Sequence, residues 1–152
     1  MKMEISEKEA IKEFEVLSFI VGDQEMAFDV DYVEIVIDKV DPTPVPKSKP
    51  MIKGIINLRG RIVPIIDLAD VLGSYVDESQ YESIVVVKYN EIEAGFMVGT
   101  VKGVLRTSTA EIENMASLER YGEKSKGLIK KGSRLIVYLD VTKIIDEIAG
   151  EQ

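Results

Sequence analysis

The 152-residue chain contains no histidine and no cysteine. Without them the usual general base near neutral pH and the thiolate nucleophile are both missing. The imidazole and thiolate ligands that hold zinc, copper and most iron are missing too. Positive charge is short as well: 19 Lys and Arg against 27 Asp and Glu leave a net charge of −8. That balance argues against nucleic acid, whose binding rests on Lys and Arg neutralising phosphates. No apolar run approaches the roughly 20 residues that span a bilayer. The first residues, MKMEISEKEAIKEFE, are charged and acidic, unlike a signal peptide, so a cytoplasmic location is expected. What remains is 45% hydrophobic and 30% charged. Such a chain folds without cofactors or staples, as one ordinary domain or two very small ones.

Most of the pattern is that of strands. Ser6 to Glu13 reads as a short helix start, with Ser6 as N-cap and Glu9 three residues on. Phe14 to Val21 and Glu25 to Val30 are strands joined by hairpin residues Gly22, Asp23 and Gln24. Asp31 to Ile37 fits either a helical turn or a strand. Asp41 to Pro50 carries four of the five prolines and must be an extended loop. Strands from Met51 to Leu58 and from Ile62 to Asp67 flank an Arg-Gly-Arg turn, and LADVLG ends in a short helix stopped by Gly73. Ser83 to Tyr89 and Ile92 to Arg106 are strands interrupted by bulge glycines. A helical turn capped by Thr109 and a polar loop to Lys126 follow. Gly127 to Val141 is a hairpin with Gly132 and Ser133 at its tip. Val141, Ile144, Ile145 and Ile148 then take the spacing of an amphipathic helix, with Asp140 as N-cap.

The chain repeats itself. KGIINLRGRIVPIIDLADVL from Lys53 aligns without a gap on KGLIKKGSRLIVYLDVTKII from Lys126, an offset of 126 − 53 = 73. Ile56/Ile129, Arg61/Arg134 and Asp67/Asp140 are identical. Upstream, EMAFDVDYVEIVI aligns on EAGFMVGTVKGVL at an offset of 93 − 25 = 68, matching Glu25/Glu93, Phe28/Phe96, Val30/Val98, Val33/Val101 and Val36/Val104. A β-rich unit of about 70 residues is thus used twice. So small a unit is marginal alone, and it removes sheet edges by closing into a barrel. The expected architecture is one mainly β domain over residues 1–152. Two intertwined, pseudo-symmetric five-stranded barrels lie roughly at 14–73 and 83–140, with short terminal helices and helix 141–149 closing a shared seam.

Candidate sites are few. The pairs Asp23/Glu25, Asp29/Asp31 and Asp77/Glu78 lack calcium-loop spacing and read as solvated faces. Gly95, Gly99 and Gly103 sit inside strand patterns, with no strand-to-helix turn to aim amides at a phosphate. Val30, Val33, Ile35, Val36 and Ile37 put five aliphatics in eight residues, more than one face can bury, so some should be exposed to a partner. Arg61 recurs as Arg134 and is expected to be structural, pairing for example with Asp67 or Asp140. Arg59 faces Gly132 in the alignment. It is either a solvated turn residue or a guanidinium fork held out for a carboxylate or carbonyls.

The string Lys53 to Leu68, KGIINLRGRIVPIIDL, resembles the signature hairpin of the CheW coupling proteins of bacterial chemotaxis. The likeness runs from FEVLSFIVGDQEMAFDV to LIVYLDVTKII, and CheW-like domains of CheA and CheV share it. With no receiver or kinase segment, the stand-alone adaptor is expected. The resemblance implies two SH3-like barrels, no catalysis and no cofactor. It implies an adaptor that links the cytoplasmic tips of chemoreceptors to the regulatory domain of the histidine kinase CheA. By resemblance, receptor helices dock between the barrels on Leu17, Val30, Val33, Val36, Ile84 and Val101, with Gly54 and Arg59 beside them. Kinase contact is expected at barrel ends, on residues the resemblance does not assign. Many family members carry a Glu at the position of Ile35, paired with the hairpin arginine. Here the acid is Glu34, one position earlier, which leaves Arg59 free to engage a partner. The alternatives are a scaffold of a different signalling array and a carboxylate hydrolase, which would need two facing acids with raised pKa values.

Overall fold

The computed structural model describes residues 10–114 and 116–150. Of the helix expected from Ser6 to Glu13, residues 6–9 lie outside them, while Ala10, Ile11 and Lys12 are not helical and Glu13 begins a strand. Among the described residues eleven strands form two sheets. The first sheet holds β1 (Glu13–Val21), β2 (Gln24–Asp29), β8 (Val101–Ser108), β9 (Ile112–Glu113), β10 (Ser125–Lys131) and β11 (Arg134–Leu139), in the order β8-β1-β2-β11-β10-β9. The second holds β3 (Val33–Asp38), β4 (Ile52–Leu58), β5 (Arg61–Asp67), β6 (Ser83–Tyr89) and β7 (Ile92–Val98), in the order β3-β6-β7-β5-β4. These are the two SH3-like barrels, five strands in one and, counting the two-residue β9, six in the other. Among the described residues two α-helices accompany them: α1 (Leu68–Val71) and α2 (Val141–Gly150).

The sheets cross the sequence repeat rather than follow it. Residues 14–73 supply β1 and β2 to one sheet and β3, β4 and β5 to the other, and the second half mirrors this. The halves are tied by two parallel pairings, β2 with β11 through Met26 and Val137, and β5 with β7 through Ile66 and Phe96. The pseudo-symmetry is visible at the centre. Phe28 and Phe96, a matched pair in the repeat, lie edge to face with centroids 5.5 Å apart and both fully buried. Around them one apolar cluster draws Leu17, Phe19 and Met26 from the first sheet and Ile65, Ile84 and Val85 from the second. A shared core of this kind is what two units too small to be stable alone require. Helix α2 follows β11 yet packs on β6 of the other sheet, burying Val141, Ile144 and Ile145.

The matched residues are matched for reasons of construction. Asp67 and Asp140 each begin a helix, accepting from the amides of Asp70 and of Thr142 and Lys143. Asp67 also takes a buried hydrogen bond from the Tyr81 hydroxyl. Gly54 and Gly127 each sit at a register shift with positive φ, +150° and +139°. A Cβ on Gly54 would lie 2.3 Å from the Thr43 carbonyl oxygen, and one on Gly127 2.7 Å from that of Glu113. The ambiguous segment Asp31 to Ile37 is both things in turn: a 3₁₀ turn at Val30–Tyr32, then β3. The turn expected from Thr109 is capped instead by Ser108, whose hydroxyl accepts from the Ala110 amide. Part of the expected polar loop before Lys126 is 3₁₀ helix, Ala116–Lys124, in two pieces broken at Gly122.

Candidate functional site

Arg59 and Gly60 are the two central residues of the β4–β5 hairpin, with φ of +54° and +85°. Positive φ at both positions twists the turn to match the strands it joins. The Asn57 side chain closes the turn by accepting from the Gly60 amide at 2.9 Å. Glycine meets this conformation freely and an arginine does not. The turn therefore holds the Arg59 side chain outward at some local cost. Among the described residues that side chain makes no ion pair and no hydrogen bond. It borders a depression of about 350 Å³ lined by Glu34, Ile35, Leu58, Arg59 and Arg61.

Arg61 behaves differently, and its partner is not Asp67. Its guanidinium grips Glu93 of β7 with two bonds of 2.9 and 2.6 Å, while Arg134 grips Glu25 of β2 in the same way. Each arginine comes from one copy of the repeat and its glutamate from the other, so the two ion pairs stitch the copies together. The signal was present in the alignment, because Glu25 and Glu93 match just as the arginines do. The Arg61 guanidinium pulls the Glu93 carboxyl down to about 2, and hydrogen bonding to Arg134 lowers that of Glu25. Glu34 is the extra residue where β3 slips against β6 between Val33 and Ile35. It reaches only to 3.9 Å from Arg61 and does not pair with Arg59.

The remaining expected contact residues gather where the two sheets meet. The 3₁₀ turn beginning at Val30 carries the chain from one sheet to the other and touches both β1 and β6. Leu17 and Phe19 of β1 face Val104 and Val101 of β8, and Val33, Val36 and Ile37 of β3 face Val87, Val85 and Ile84 of β6. Val30, Val33 and Val101 are half-buried on the shared core. Ile84 is buried and Leu17 almost fully covered, so these two lie beneath the surface, while Gly54 is buried on β4 against Pro42 and Thr43 and offers no surface either. Val36 is 37% exposed, which relieves the crowding of aliphatics at 30–37. Among the exposed aliphatics that sequence reasoning missed are Val104 at 59%, Ile62 at 59% and Leu135 at 49%. Val104 matches Val36 in the repeat, so the alignment could have found it once Val36 was singled out, whereas Ile62 and Leu135 match only each other.

The acidic pairs have local duties. Asp29 and Asp77 accept from the amides of Asp31 and Ser79 at the starts of 3₁₀ turns, each at 2.9 Å. The described residues bring no three Asp, Glu, His or Cys side chains into a group that could hold a metal. Among them no helix is long and apolar enough to cross a membrane.

A family profile described as CheW-like domain matches residues 15–149, nearly the whole chain. The chain belongs to the CheW family. It is 51% identical over 144 residues to the chemotaxis protein CheW of Thermotoga maritima, covering 95% of each. It is 30% identical over 138 residues to the chemotaxis protein CheW of Bacillus subtilis, covering 87% of this chain and 86% of the relative. The fold matches the crystal structure of the scaffolding protein TtCheW from Thermoanaerobacter tengcongensis with a TM-score of 0.81, at 24% identity, over 92% of this chain and 97% of that one.

Proposed function

We propose that the protein is a non-catalytic adaptor that couples the cytoplasmic tips of chemoreceptors to the histidine kinase CheA. It would work at the cytoplasmic face of receptor arrays. Receptor helices lie against the junction of the two barrels, over Val30, Val33, Val36 and Val101 and the covered Leu17 and Ile84. Aliphatic anchors in a groove are the ordinary means of seating an amphipathic helix. The kinase is engaged at a barrel end through its own CheW-like domain, since like folds pair by repeating one contact. The observation that carries the reading is Arg59, held outward on a left-handed turn with no partner among the described residues, where the second copy of the repeat has Gly132. An unpaired guanidinium of fixed direction serves a partner rather than the fold.

Arg59→Ala tests this directly. The circular dichroism spectrum and melting temperature are expected to stay nearly unchanged while receptor–kinase assembly weakens. Unfolding of the variant, with full assembly by its folded fraction, would show the arginine to be structural. Backbone NMR titrations with a receptor tip fragment and with the CheA regulatory domain map the two surfaces. Shifts confined to one barrel for both partners would sink the bridge.

A further inference from the structure

The surroundings of Arg59 say more about what docks there. Arg61 is committed to Glu93 by two short hydrogen bonds, so Glu34 and Glu93 crowd one guanidinium. Contact with the Glu93 carboxyl raises the pKa of Glu34, as expected where like charges meet without enough counter-charge. The second copy of the repeat solves the same problem. There Lys102 stands at the position of Glu34, and its charge helps to lower the pKa of Glu25 beside Arg134. The positions of Ile35, Leu58 and Arg59 are taken by Gly103, Lys131 and Gly132. One barrel therefore has an acid with too little counter-charge, an apolar floor and an unpaired guanidinium in a single depression. The other barrel has none of the three. Nothing in the fold requires the difference, because the same hairpin and the same arginine–glutamate pair are built in both.

We infer that this depression is a socket for a partner segment carrying a basic and an acidic side chain on either side of an aliphatic one. The aliphatic group seats on Ile35 and Leu58, the basic group pairs with Glu34, and the acidic group is gripped by Arg59. The inference rests on the adaptor reading and deepens it by naming the chemistry of the docked segment. A cation brought to Glu34 removes the repulsion from Glu93, so the gain is larger here than at a carboxylate already paired. Charge complementarity of this kind fixes orientation and speeds encounter more than it adds affinity.

The test compares the full chain with Glu34→Gln and Glu34→Lys, the second of which installs the arrangement of the other barrel. Melting temperature at pH 7 is measured with binding to a receptor tip fragment and to the CheA regulatory domain, at low and high salt. Both variants are expected to melt at or above the parent temperature. The receptor tip fragment is the occupant meant. It should lose about tenfold in affinity with the glutamine and more with the lysine, along with a flatter salt dependence, while the kinase domain binds the variants as it binds the parent. If the parent binds either probe and both variants bind as it does, the socket is wrong and the adaptor reading survives. A fall in melting temperature with unchanged binding would make Glu34 a structural acid and overturn the inference. If the parent binds neither probe, both readings fall.

Discussion

Arg59 and Gly132 occupy one position in the two copies of the repeat, with φ of +54° and +62°. The backbone there is the same, so the side chain is the variable. A non-glycine residue in this region costs about 1 kcal/mol, and asparagine tolerates it better than most. Arg59→Asn is therefore expected to hold or raise the unfolding free energy by about 0.5 kcal/mol in urea titrations, while assembly weakens as for alanine. Gly54 has the opposite character, because its missing Cβ is what the fold needs. A methyl group there would press on the Thr43 carbonyl, which is backbone and cannot swing aside. Gly54→Ala should cost ~2 kcal/mol or more in the same titration. The strap around Thr43, which exchanges two 2.9 Å backbone hydrogen bonds with Ile55, should be the first to lose amide protection in hydrogen exchange.

Two hairpins, β4–β5 and β10–β11, carry the ion pairs that join the copies. Both glutamates have pKa values below the ordinary 4.5. A group whose folded-state pKa is depressed contributes stability above its unfolded value and loses it as pH falls through the folded one. Around Glu93 the profile is mixed, because Glu34 is raised and its protonation relieves repulsion at pH above 4.5, before the loss through Glu93 sets in. Glu25 with Arg134 shows the effect without that mixture. Glu25→Gln is expected to lower stability at pH 7 by about 1 kcal/mol, since solvent screens part of the charged pair. The variant should also flatten the decline in melting temperature that the parent shows below about pH 4.5. An unchanged acid profile would mean that the pair does not contribute.

At the scale of the molecule, each sheet is made from both halves of the chain. The parallel pairings β2–β11 and β5–β7 and the Phe28–Phe96 contact have no partner inside one half. Residues 10–73 and 83–150 expressed apart are therefore expected to remain unfolded, as judged by amide proton dispersion. The intact chain should unfold in one calorimetric transition. Two separate transitions, or a folded half, would contradict a shared core. The same interlacing keeps the barrels in fixed relation, which suits a protein proposed to hold two partners in one geometry.

Much of this was legible in the residues. Hydrophobic alternation and turn chemistry located the main strands and the C-terminal helix to within a residue or two, because those signals are local. The repeat foretold a doubled fold and separated Arg61 from Arg59, because duplicated positions that stay alike build and those that diverge are free to do something else. The match of Glu25 with Glu93 hinted at partners for Arg61 and Arg134, but which glutamate meets which arginine, 32 and 109 residues away, depends on the tertiary fold. That Ile84 is fully buried while Ile62 is exposed was equally hidden. Strand periodicity says which residues share a face, and only the exchange of strands between sheets decides which face meets the core.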